Sequence, residues 1–177
     1  MPIWEKYSDL QEKIHELDKY VDELSGSALI DYKTGLYTRR YIDERIDEEI
    51  KRAERYQHFL SLVVIHFDSN FNLSKKTQKK DSLQVTQKLS SLLKDRMRRM
   101  DVAFRYDDNK FFVLLPETDS EGGQLVANRL KNDFEEFLYQ GPVSSEKAIA
   151  VGVGTYPSDA RTGKELIDKV VIGAKPG

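Results

Sequence analysis

Apolar residues recur along this chain with distinct periods, and each change of period marks a new element. Over residues 3 to 28 they follow a 3-4 repeat: Ile3, Tyr7, Leu10, Ile14, Leu17, Val21, Leu24 and Ala28. Placing Tyr7, Ile14 and Val21 at heptad position a leaves Leu10, Leu17 and Leu24 at d, the pattern of a parallel two-stranded coiled coil. In that register Lys13 at g meets Asp18 at e of a partner chain. Three heptads are marginal in isolation, and a stripe of this kind also serves to pack a helix on its own domain. Ser25-Gly26-Ser27 ends the segment, dividing the chain into an N-terminal helix, 1–27, and a domain, 28–177.

Inside the domain the period shifts to that of a single amphipathic helix. Thr38 is placed to cap a helix carrying Ile42, Ile46, Ile50 and Ala53 on one face. Phe59 to Phe67 (FLSLVVIHF) is short, continuous and β-branched, which predicts a buried strand. A polar stretch from Asp68 to Asp81 follows, with Lys75, Lys76, Lys79 and Lys80; it reads as a solvated loop or as a surface for an anionic partner. A second helix presents Val85, Leu89, Leu92, Leu93 and Met100. Alternation at Val102, Phe104 and Tyr106, four polar residues from Asp107 to Lys110 and the run Phe111 to Leu115 together predict a β-hairpin. A third helix carries Val126, Leu130, Phe134 and Phe137, and Lys164 to Lys175 predicts a short closing helix. Helices alternate with strands around a central hairpin, so the fold class is α/β (α+β) with a mixed sheet and flanking helices.

Composition narrows the functional classes. Charged residues make up 33% of the chain and the net charge is -2, which offers no general attraction for nucleic acid or membranes. No cysteine is present, so disulfides and thiolate metal sites are excluded. No apolar run approaches the roughly 20 residues of a membrane span, and residues 1 to 20 lack the core of a signal peptide. The expectation is a soluble, cytoplasmic protein.

Three segments carry a resemblance. DYKTGLYTRR, Asp31 to Arg40, resembles the Asp-x-Leu-Thr-Gly-Leu-x-Asn-Arg-Arg segment of GGDEF domains, the diguanylate cyclases, departing at Lys33 and Thr38. AIAVGVGTYP, Ala148 to Pro157, resembles a strand of that family, and DDNKF, Asp107 to Phe111, falls on its signature Gly-Gly-Asp/Glu-Glu-Phe turn. The resemblance implies a nucleotidyl-cyclase palm and a reaction that joins two GTP molecules around divalent metal. Residue by residue, it also implies loss of that chemistry. His66 and Asn109 stand where the family has its metal carboxylates, leaving Asp68 alone of an Asp-x-Asp pair. Asp107 and Asp108 replace the two glycines and add negative charge where a triphosphate would lie. Lys110 replaces a glutamate, Phe111 matches, and Ser74 and Leu83 fall on the guanine-selecting positions. Read without the resemblance, Asp-Asp-Asn is ordinary turn chemistry and His66 a packed strand-end histidine. No catalytic residue, metal or cofactor is assigned.

The family's inhibitory site, which binds the product cyclic di-GMP, resembles what remains here. Arg98 and Asp101 form its Arg-x-x-Asp five residues ahead of the turn, with Arg129 in register on the following helix. Arg52, on the first long helix, matches an arginine that a neighbouring domain presents to the same ligand. Guanine O6 and N7 suit the fork of Arg98, and its N–H edge suits the carboxylate of Asp101. Without the resemblance, Arg98 complements a helix dipole and Asp101 leads a strand. The resulting expectation is an inactive GGDEF domain serving as a cyclic di-GMP receptor, dimeric through its N-terminal helix or through ligand cross-linking, with an unidentified downstream protein. The alternatives are a ligand-independent interaction scaffold and a residual GTP-binding or cyclase module.

Overall fold

The computed structural model describes residues 2–67, 78–138 and 149–174. Helix α1, Ile3–Ser27, precedes a domain built from β1 (Tyr37–Thr38), α2 (Arg39–Tyr56), β2 (Leu60–Phe67), α3 (Gln78–Arg96) and the hairpin β3 (Val102–Asp107) and β4 (Lys110–Pro116). It closes with α4 (Ser120–Leu138), β5 (Ile149–Tyr156) and α5 (Gly163–Gly173). The strands form one five-stranded mixed sheet in the order β1-β3-β4-β2-β5. Among the described residues, the β1–β3 pairing is parallel and the other three are antiparallel.

Period-2 alternation along β2 and β4 generates two cores. Val63, Ile65 and Phe67 join Phe111, Val113 and Leu115 on one face, under Leu89 and Leu93 of α3 and Leu130 and Phe134 of α4. Leu62 and Val64 join Phe112 and Leu114 on the other face, under Ile42, Ile46 and Ile50 of α2 and Leu166 and Val170 of α5. Strands covered on both faces need apolar residues at successive positions, which is why both read as unbroken runs.

Several boundaries differ from the sequence reading. Thr38 holds the N-cap backbone position of α2 but makes no cap bond; its hydroxyl donates to the Ala28 carbonyl at 2.8 Å, tying the α1 junction to β1. Phe59 is exposed and β2 begins at Leu60, while Met100 is exposed beyond the end of α3. Helix α3 starts at Gln78, inside the predicted polar stretch, and α5 runs over Gly163–Gly173. Asp68, Ser74, Lys75, Lys76, Ala148 and Lys175 lie outside the described residues.

Residues Tyr7, Leu10, Ile14, Leu17 and Leu24 of α1 are each more than half exposed. The apolar stripe therefore does not pack on its own domain. Lys13 pairs along its own helix with Asp9 at 3.1 Å. No helix among the described residues is long and apolar enough to cross a membrane.

Close approach of α5 to β5 depends on Gly152, where a Cβ would clash with the Val170 carbonyl oxygen. Backbone cannot yield as a side-chain tip can, so Gly152→Ala is expected to lower the unfolding free energy by about 1–3 kcal/mol. Urea denaturation measures it, with Gly173→Ala, which meets nothing nearer than 3.8 Å, as the mild control.

Candidate functional site

Antiparallel pairing of His66 with Lys110 brings the end of β2 beside the hairpin turn. The Phe67 N–H donates to the Asn109 carbonyl at 3.0 Å, and Asn109 Nδ2 lies 3.0 Å from His66 Nε2. The other ring nitrogen, Nδ1, lies 3.2 Å from the Ala174 carbonyl at the end of α5. A carbonyl only accepts, so Nδ1 carries the proton and the Nε2 lone pair accepts from the Asn109 amide. The two positions that the resemblance matches to metal carboxylates are thus bonded to each other, and neither nitrogen of His66 offers a lone pair to a cation. Among the described residues, no group of three or more His, Asp or Glu side chains is placed to hold a metal.

Both aspartates of this turn have a cationic partner. Asp107 pairs with Lys110 at 3.1 Å, and Asp108 with Arg105 at 2.9 Å. Arg105 also holds Asp31 at 2.7 Å, linking the turn to the start of the domain. Asp31 in turn accepts from the N–H groups of Lys33 and Thr34. Asp107 accepts from the Asn109 N–H at 3.1 Å, an Asx turn. Neither Asp108 nor Asn109 takes a positive φ, so this turn has no need of glycine. Leu83 lies on α3.

At the far end of β3 the polypeptide closes a different turn. Helix α3 stops at Arg96, so Arg98 lies beyond the helix rather than capping it. The Arg98 N–H donates to Asp101 Oδ2 at 2.8 Å, and the Asp101 N–H donates back to the Arg98 carbonyl at 3.1 Å. The second carboxylate oxygen, Oδ1, is buried with no hydrogen-bond partner among the described residues. Burial pushes the Asp101 carboxyl above the usual carboxylate range, against the Arg98 N–H and the charges of Arg98 and Arg129. Arg129 reaches over from α4 and donates to the Arg96 carbonyl at 3.1 Å, satisfying an open end of α3. Beside it Arg96 grips Asp133, with Nη2 3.3 Å from Oδ1 and Nε 2.9 Å from Oδ2, the latter contact too bent to be a hydrogen bond. This α3–α4 clamp escaped sequence reading, since nothing in the spacing of Arg96 and Asp133 singles them out.

The fold therefore brings Arg98, Asp101 and Arg129 together and leaves Arg52 apart. Arg52 sits on α2, which covers the opposite face of the sheet, and touches Glu49 and Glu117 only at 4.0 Å. One copy of the chain cannot gather all four around one ligand.

Residues 28–172 match the family described as "Diguanylate cyclase, GGDEF domain". The chain belongs to the GGDEF family. It is 26% identical over 129 residues to diguanylate cyclase DgcP of Pseudomonas aeruginosa, covering 73% of this chain and 19% of that protein. The chain spans between 19% and 52% of the length of the first three curated relatives it matches. Among solved structures it resembles the GGDEF domain of FimX from Pseudomonas aeruginosa, with a TM-score of 0.70 at 18% identity over 82% of this chain and 91% of that one. The coiled coil and GGDEF domain of DgcB from Caulobacter crescentus, solved in complex with c-di-GMP, gives 0.66 at 15% identity over 97% and 92% of the two chains.

Because the folded-state pKa of Asp101 is raised, the native state holds this proton more tightly than the unfolded chain does. The favourable contribution is full below the unfolded value and is lost as pH rises through the folded one. The stability difference between wild type and Asp101→Asn is therefore expected to decline across that acid window. Denaturation at a series of pH values checks this, and a flat or rising difference would contradict it.

Proposed function

We propose that this chain is a cyclic di-GMP receptor that does not turn over GTP. The observation that carries the reading is the Asp101 carboxylate, with one oxygen used by the turn and the other buried without a partner among the described residues, beside two arginines. A buried acceptor left open costs stability unless a ligand completes it. The N–H edge of guanine is a donor of the right kind, and the guanidinium of Arg98 complements the O6/N7 edge of a base. Arg129 adds charge for the phosphodiester, and Arg52 serves from a second copy. The absence of turnover is supported by the bond between His66 and Asn109 and by the side chains in place of glycine at the turn.

In this reading the exposed apolar stripe of α1 pairs with its counterpart in a second chain. Differential affinity of the ligand for the docked arrangement of two domains then shifts its population.

Calorimetric titration of cyclic di-GMP is expected to show binding to wild type and a loss of about tenfold or more in Arg98→Ala, the scale of one bidentate base contact. Equal affinities would end the reading. Affinity should also fall as the pH is lowered, starting above the ordinary carboxylate range, because the acceptor role needs ionised Asp101. Incubation with GTP and Mg²⁺ or Mn²⁺ is expected to give no cyclic di-GMP; any product refutes the inactive-enzyme claim. For α1, light scattering should report a dimer in wild type and a monomer in a Leu10→Lys, Leu17→Lys double variant without ligand.

A further inference from the structure

Three arginines and two carboxylates meet where α3 and α4 converge on the turn at Asp101, and their pairing is uneven. Arg96 Nη2 lies 3.3 Å from Asp133 Oδ1, and its Nε lies 2.9 Å from Oδ2. Asp101 is engaged by the turn itself, accepting from the Arg98 N–H at 2.8 Å. Arg129 donates to the uncharged Arg96 carbonyl at 3.1 Å. Among the described residues, no carboxylate stands within ion-pair distance of Arg129. The Asp133 side chain is only 15% exposed, with Oδ2 buried.

Sequence spacing offers Asp133 a second cation. It follows Arg129 by four residues on α4, and opposite charges at that spacing face one another and pair. A carboxylate so far withdrawn from water needs a counter-charge, so whichever arginine holds Asp133 holds it closely. The structure gives it to Arg96, from the neighbouring helix. Arg129 therefore keeps a whole positive charge at the Asp101 turn, where it is available to a phosphodiester. Were Arg96 neutral, Asp133 would draw the Arg129 guanidinium along α4 toward Phe137, which lies beside Lys88, farther back on α3.

We infer that Arg96 is a positioning residue for the ligand site: by holding Asp133 it keeps Arg129 without a counter-charge and ready for the phosphodiester of a cyclic dinucleotide. The two members of one ion pair then act on affinity in opposite directions. Arg96 favours binding through Arg129, and Asp133 opposes it once Arg96 is gone. An ion pair that merely braced α3 against α4 would weaken binding on loss of either member. The inference rests on the receptor reading above and adds a residue that sets affinity without touching the ligand.

A mutant cycle on the full chain separates the two claims. Cyclic di-GMP is titrated by calorimetry into wild type, Arg98→Ala, Arg96→Gln, Asp133→Asn and the Arg96→Gln, Asp133→Asn double variant. Arg96→Gln is expected to lose about tenfold in affinity, the scale of one charge-assisted hydrogen bond. Asp133→Asn should stay within about twofold of wild type, and the double variant should recover to within about twofold as well. In an Arg129→Ala background Arg96→Gln should weaken binding no further, because it acts only through Arg129. Wild-type affinity in Arg96→Gln, a loss of about tenfold in Asp133→Asn, or a double variant as weak as Arg96→Gln overturns the inference and leaves the receptor reading standing. A further loss of about tenfold in the Arg129→Ala background overturns it likewise. Should Arg96→Gln fail to fold, Asp133→Asn decides alone, since a purely structural brace would be lost there too. Wild-type affinity in Arg98→Ala, or no binding by wild type, overturns the receptor reading and this inference together.

Discussion

The antiparallel ladder between β2 and β4 fixes most of what matters in this molecule. Seven residue pairs, from Leu60 with Pro116 to His66 with Lys110, hold the two central strands in one register. Both strands are covered on both faces, so a slip by one residue would exchange the two cores and strand each side chain against the wrong helices. The register also sets the contacts at its two ends. At one end it sets His66 against Asn109; at the other it places Glu117 near Arg52. Neither contact is local in sequence, and both follow from the ladder.

The two turns of the hairpin region solve opposite electrostatic problems. At the tip every charge has a counterpart: Asp107 with Lys110, Asp108 with Arg105, and Arg105 with Asp31. The Arg105–Asp31 pair is largely enclosed, and its geometry satisfies both groups. At the base of β3 the balance is left incomplete. Asp101 is desolvated enough to raise its pKa despite two neighbouring arginines, and one of its oxygens has no donor among the described residues. A closed network stabilises a fold, whereas an unfilled acceptor beside guanidinium groups is suited to a ligand. This contrast, rather than the number of charges, distinguishes the two turns.

Arginine 52 illustrates how geometry restricts mechanism. The resemblance assigns it to a neighbouring domain's contribution, and α2 and the α3–α4 pair cover opposite faces of the sheet. A ligand bridging these residues therefore bridges two molecules.

Much of the architecture was legible in the chain itself. The continuous apolar runs of β2 and β4, the 3.6-residue stripe of α2 and the alternation in β3 are local patterns that burial imposes on sequence, so each identified its element. The two-residue β1 was not legible, because so short a strand exists only where a parallel neighbour, β3, accepts it. Thr38 was read as a cap from its type, but tertiary structure offered its hydroxyl the Ala28 carbonyl instead. That His66 and Asn109 stand where the resemblance expects carboxylates was visible as letters; that the two side chains bond to each other, with Ala174 on the far nitrogen, was not. Sequence alone thus determined which elements form and which chemical groups each carries, because periodicity and residue type are local. Only the tertiary structure decided that the turn charges cancel, that Asp101 keeps an open acceptor, and that Arg52 faces away from it. Those outcomes depend on desolvation and on distances between residues far apart in the chain, which no local pattern encodes.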